Sequence, residues 1–261
     1  MYNINKLAIN KDKTEMMIVC KNRFRKKTNK ITMKASDKTV KQVKKVKILG
    51  YTIQSNLKND TQIGNTISNL NNRLYNIKKL GTKTKTETRA MLVKSLVIGK
   101  LNYSLPLLIN STKAQLSKLN TIVNKSCKII IGNICLKWSS TKLQTRCKLN
   151  NIWHMILIQG LTLLHKIKRT NEPESINDMF KYNDRPQGKE HKLCTNYTPK
   201  TNCMKKFIIY KLTHIYNYLD TDFHKMTIKK FKNDIKYNVP ITFPNTAIPN
   251  TSDTESDSNT E

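Results

Sequence analysis

The sequence is short of acid. Of 261 residues, 17 are Asp or Glu against 48 Lys and Arg, a formal net charge of +31. The deficit is uneven. Residues 1–60 carry 16 basic and 4 acidic side chains, residues 61–165 carry 16 basic side chains and the single acid Glu87, and residues 166–261 carry 16 and 12. A field of that sign recruits polyanions: nucleic acid, an anionic membrane or an acidic protein. AT-rich coding DNA enriches Lys, Asn, Ile and Thr, and only 7 of the basic residues are Arg. Such a bias supplies lysines, but it does not strip acids from a hundred consecutive residues, so contact with nucleic acid is the stronger reading.

Other absences remove whole classes of function. The six cysteines (Cys20, Cys127, Cys135, Cys147, Cys194, Cys203) form no C-x-x-C pair and no Cys/His knuckle, which excludes a recognisable zinc site. No signal peptide opens the chain, so free thiols in a reducing, intracellular compartment (cytoplasm, nucleus or both) are expected. Apolar runs such as Met155 to Ile158 are far shorter than the ~20 residues that span a bilayer, so no membrane role is expected. With 7 glycines there is no Gly-rich phosphate loop. No Ser/His/Asp or Cys/His spacing suggests a nucleophile. His154 and His165 stand three helical turns apart, too far to share a metal. No Asp-Asp pair occurs anywhere. No catalytic residue, metal site, cofactor or small-molecule substrate is therefore assigned to this chain.

What is present divides by period. Residues 1–60 look β-rich: Leu7 and Ile9 alternate with polar neighbours, and Thr14 to Val19, Ile31 to Met33 and Val43 to Leu49 are short apolar candidates for strands. Gly50 turns the chain and Tyr51 to Ile53 pairs back as a hairpin. From residue 61 the period becomes helical. Ile63, Ile67, Leu70, Leu74 and Ile77 share a face, and Gly81 stops the helix. A second helix fits Thr86 to Lys100 with Leu92, Val93, Leu96 and Val97 inside. A third fits Thr112 to Ile131, with the stripe Leu116, Leu119, Ile122, Val123, Cys127 and Ile130, and ends at Gly132. A shorter one starts at the Ser139–Ser140–Thr141 cap, and another spans about Ile152 to Lys168. Trp138 and Trp153 read as core anchors rather than stacking platforms. The basic run Lys21 to Lys27 reads as a solvated loop more readily than as an import signal.

The expected organisation is α+β, mostly α. A small hairpin-rich unit covers 1–60 and a helical bundle 61–168. A Pro- and Asn-rich linker covers 169–202, and a small helical segment built on Phe207, Tyr216, Ile228, Phe231 and Ile235 covers 203–238. An acidic tail at 239–261, expected to be disordered, follows.

The order of motifs resembles the C-terminal half of reverse transcriptases from non-LTR retrotransposons of the jockey-like kind. Residues Leu7 to Val19 are similar to the end of the family's palm, with Asn10 followed by Lys13-Thr14-Glu15. Ile48-Leu49-Gly50 resembles the primer-grip hairpin, and Leu101-Asn102-Tyr103-Ser104-Leu105-Pro106 resembles a stretch of the helical thumb. Tyr216-Asn217-Tyr218-Leu219 and Phe231-Lys232-Asn233-Asp234-Ile235-Lys236 resemble segments downstream of it. The resemblance spans about residues 6–237; its single motifs are weak and their order is the specific part.

The resemblance implies that residues 1–60 are a palm remnant and 61–168 a thumb. It implies that Lys13 lies near an incoming nucleotide and that Leu49 and Gly50 grip the primer end. Ile48 stands where the family usually has an aromatic residue, which implies an altered grip. The thumb would lie along an RNA–DNA or DNA template–primer duplex without reading sequence. From charge and helix position, Arg73, Lys78, Lys79, Lys83, Lys85 and Arg89 are the candidate phosphate contacts. Polymerase chemistry needs carboxylates that hold two Mg2+ ions about 4 Å apart. The family takes them from a Tyr/Phe-x-Asp-Asp turn that would precede Met1, so this chain alone is expected not to polymerise. Strands taken from a larger palm sheet would have exposed edges, so 1–60 is expected to be poorly held. Two other readings stay open: a basic helical protein that binds acidic partners, and an enzyme completed by a second chain that supplies the aspartates.

Overall fold

In the structure, a computed structural model, the described residues are 10, 13–20, 31–35, 38–132, 137–183, 192–197, 208–218 and 226–238. Leu7, Ile9, the basic run 21–27, Phe207 and the acidic tail lie outside them. Short strands and predominant helix give an α+β chain that is mostly α. It divides into two compact units, Met1–Asn76 and Ile77–Glu261.

In the first unit, β1 (Glu15–Met16) runs parallel to β4 (Lys41–Gln42), with Glu15 opposite Lys41. Strands β2 (Lys34–Ala35) and β3 (Lys38–Thr39) pair antiparallel. The strand expected over Thr14 to Val19 is thus two residues long. Ile31 to Met33 joins no ladder: the Met33 carbonyl accepts the Val40 N–H at 2.8 Å, and Ile31 and Met33 remain about half exposed. The longest pairing is the hairpin β5 (Lys45–Ile48) with β6 (Tyr51–Gln54), where Ile48 faces Tyr51 across the two-residue turn Leu49-Gly50.

Helix α1 (Asp60–Lys79) follows. Its N-terminus is tied to the hairpin by exchanged amides. Gln54 Oε1 accepts the Thr61 N–H and Gln62 Oε1 accepts the Thr52 N–H, both at 2.9 Å. The Tyr51 hydroxyl donates to Asn59 Oδ1 at 2.9 Å, and its partial burial pushes the phenol pKa up. The β6 edge and the first turn of α1 therefore satisfy one another, which fixes the hairpin to the helix. Ile63, Leu70 and Leu74 are buried along the expected stripe. The division between units falls inside α1, after Asn76.

In the second unit, Gly81 takes φ +54 just after α1, the left-handed geometry expected at a helix stop. The next helix is not regular. It runs as α2 (Thr86–Leu92), a π-helical stretch Val93–Ile98, and α3 (Gly99–Asn102). In the π stretch the Gly99 N–H reaches the carbonyl of Lys94, five residues back. The wider turn advances the phase, so Val93, Val97, Ile98 and Leu101 face inward and Leu96 is turned out, 43% exposed. The expectation that Leu96 lies inside assumed 3.6 residues per turn throughout. A 3-10 segment, Leu105–Asn110, packs against the later helix Ile152–Thr170.

Helix α4 (Lys113–Ile131) opens with a capping box between Thr112 and Gln115, buries the whole expected stripe, and ends at Gly132 with φ +91. Helix α5 (Ser140–Cys147) is capped by Ser139. Helix α6 (Ile152–Thr170) is capped by Asn151 and buries residues all round, as a central helix must. A polar ladder joins these three: Gln144 Nε2 donates to Asn120 Oδ1 (3.2 Å) and Asn124 Oδ1 (2.8 Å), and the Ile152 N–H donates to Asn120 Oδ1 (3.2 Å).

The segment expected to be a linker is partly folded. It contains α7 (Glu174–Asn177) and a hairpin of β7 (Phe180–Asn183) with β8 (Lys192–Thr195), with Phe180 and Leu193 buried. Helix α8 (Ile208–Tyr218) packs on β8 and α6. Asn217 meets both backbone groups of Leu193, accepting its N–H at 3.0 Å and donating to its carbonyl at 2.6 Å. Gly160 of α6 lets α8 come close: a Cβ there would lie 2.6 Å from a Leu212 methyl. Helix α9 (Ile228–Asn238) lies on α6, with Phe231 and Ile235 buried. Phe231 stacks on His165 at 4.0 Å between ring centroids. The Met226 carbonyl is held by His165 Nε2 (3.1 Å) and Arg169 (2.7 Å).

Candidate nucleic-acid interface

Each expected contact residue has a definite place. Lys13 is exposed in a turn closed by Asn10, which accepts the Lys13 N–H through its carbonyl (3.3 Å) and Oδ1 (3.1 Å) and the Thr14 hydroxyl at 2.8 Å. This side-chain-closed turn sets the chain into β1.

Leu49 and Gly50 form the tip of the β5–β6 hairpin. Both have positive φ, +48 and +84, the signs that a type I′ turn needs at its two central positions. Glycine takes that conformation freely, whereas for leucine it is strained. Leu49 is 87% exposed. Exposed Lys44, Lys45 and Lys47 lead into the tip. The result is a rigid, basic hairpin that holds a bulky apolar side chain in solvent. Arg73, also in the first unit, is exposed on α1.

The second unit holds the other five. Lys78 and Lys79 are exposed in the last turn of α1, Lys83 in the 3-10 turn Gly81–Lys83, and Lys85 just before α2. Arg89 is different. Its Nε donates to the Ile130 carbonyl (3.3 Å), one terminal nitrogen to the carbonyls of Gly81 (3.3 Å) and Thr84 (2.8 Å), and the other to Ile130 (3.2 Å) and the Thr86 hydroxyl (3.3 Å). A guanidinium has five N–H donors, and all five are used. Arg89 thus ties the last turn of α4 to the loop 81–86 and offers a phosphate nothing. The expectation that it contacts phosphate gives way to a positioning role: its bonds to Gly81 and Thr84 shape the loop from which Lys83 and Lys85 project.

The tryptophans, expected as core anchors, are not fully buried. Trp138 and Trp153 are half-buried, and Lys142 Nζ lies 4.6 Å from the Trp138 ring centroid. Lys142, Arg146 and Lys148, with Trp138 beside them, add exposed basic charge around α5. Sequence reasoning passed over this group. The signal was there, as three cations within seven residues beside a tryptophan.

The two histidines are structural as well. His165 stacks on Phe231 as described. His154 is buried, its Nε2 has no hydrogen-bond partner, and burial holds its pKa below the ordinary 6.5 despite a favourable contact with the Lys236 backbone. Among the described residues no group of three or more His, Cys, Asp or Glu could hold a metal ion, and no helix is long and apolar enough to cross a membrane. The described cysteines, Cys20, Cys127, Cys147 and Cys194, form no disulfide with one another.

The described surface of each unit presents exposed lysine ammonium groups. No protein-family model, no curated protein and no solved structure matches the chain.

Proposed function

We propose that this chain is part of the RNA-directed DNA polymerase of a non-LTR retrotransposon, without the catalytic Asp-Asp, and that its remaining activity is sequence-independent binding of template–primer nucleic acid inside the cell, in the cytoplasm, the nucleus or both. The observation that carries the reading is the Leu49-Gly50 tip. An exposed leucine at φ +48 stands at the tip of a lysine-flanked hairpin, and strain of this kind persists where function requires it. A primer-grip role would use it: the leucine meets the sugar face of the primer end while the lysines meet phosphates. The near absence of acids over residues 61–165 supports the same reading.

The sequence contains no Asp-Asp pair, the family's source of the carboxylates that phosphoryl transfer requires. Primer extension by the purified chain with Mg2+, a recessed RNA or DNA template–primer and all four nucleotides tests this. The expected result is no extended product together with retention of the duplex. Extension by this chain alone would refute the proposal that the catalytic carboxylates lie elsewhere.

A further inference from the structure

Helix α9 has two unlike sides. Phe231 and Ile235 are buried, and the Met226 carbonyl just before the helix is pinned by His165 and Arg169. Lys229, Lys232 and Lys236, at spacings of three and four, form an exposed cationic stripe on one face. The helix has one acid, the half-buried Asp234. The sequence that follows reverses the character of the chain. After Lys236 there is no Lys or Arg, and Asp253, Glu255, Asp257 and Glu261 fall within nine residues in a chain of net charge +31.

We infer that the lysine stripe of α9 is the docking surface for this acidic segment of the same chain. The stripe is about 10 Å long at 1.5 Å rise per residue. The fifteen residues from Asn238 to Asp253 can span up to ~50 Å, so tether length does not limit contact. A tethered polyanion acts at an effective concentration on the order of millimolar, high enough for weak ion pairs to form in cis. The segment then competes with nucleic acid for the basic surface. That part of the inference rests on the proposed function; the docking itself does not.

The test uses the full chain and a zero-length carbodiimide, which joins carboxylates to amines in contact, at low protein concentration, with the products mapped by mass spectrometry. Cross-links from Asp253, Glu255, Asp257 and Glu261 should concentrate on the α9 lysines and fall several-fold in about 0.5 M salt, where the screening length is ~4 Å. Cross-links spread equally over the exposed lysines of α4, or none to α9, would overturn the inference. Replacing Lys229 and Lys236 with Gln should cut the cross-linking at the remaining Lys232 several-fold. An unchanged yield at Lys232 would mean chance proximity and would also overturn it. In a second readout, the full chain with D253N, E255Q, D257N and E261Q should bind a short duplex on the order of tenfold more tightly at low salt. If neither form binds the duplex, the nucleic-acid reading falls and the cross-link map still decides the docking.

Discussion

Leu49 is held in a conformation that costs a leucine about 1 kcal/mol or more, and its side chain recovers nothing from burial. Asparagine tolerates that geometry, and Asn-Gly is the favoured pair for this turn. Leu49→Asn should therefore stabilise the protein by about 0.5–1 kcal/mol in urea denaturation while weakening its hold on a recessed primer end several-fold. A destabilised variant would mean that the leucine packs on something. Arg89 is the opposite case, a cation with no spare donor. Arg89→Met should cost about 2–3 kcal/mol, because the half-buried Thr84 and buried Ile130 carbonyls lose a charged partner. Lys83→Gln with Lys85→Gln should leave stability within about 0.5 kcal/mol. Equal denaturation midpoints for Arg89→Met and the lysine pair would contradict this division of roles.

At the scale of elements, the irregular helix Thr86–Asn102 makes a clear prediction. Its π stretch places Val97 fully inside and Leu96 in solvent. Val97→Ala should cost about 1–2 kcal/mol through the cavity it leaves, and Leu96→Lys should change stability by less than about 0.5 kcal/mol, both read from thermal or urea unfolding. The reverse order would mean a regular α-helix. The same helix shows what the sequence can and cannot disclose. The α4 stripe, the stops at Gly81 and Gly132 and the cap at Ser139 were legible because each depends on neighbours a few residues away. The extra π residue was not, since Leu92 and Leu96 fit a regular helix equally well and only packing selects the other phase. The hairpin β7–β8 was hidden for a similar reason. Its Pro- and Asn-rich sequence has linker character, and its order comes from Asn217, 24 residues beyond Leu193. Arg89 was misassigned because its carbonyl partner on Ile130 lies 41 residues away. Local patterns disclose a cation but not what satisfies it.

At the scale of the molecule, charge is what supports the proposed function. With one acid among 105 residues of the middle region, its exposed lysines have few acidic partners from their own region. Where such lysines meet phosphates, each phosphate neutralised releases a counterion, so the proposed binding must weaken with salt. The proposed function has this chain bind nucleic acid through several such contacts, without reading sequence. Its most direct test is a salt titration of the purified chain against duplexes of two unrelated sequences. Engagement of about five phosphates gives a log–log slope near −4.5, a loss of ~500-fold between about 50 and 200 mM salt, and the same curve for both sequences. No measurable binding at the lowest salt, or an affinity that does not change across the titration, would contradict it.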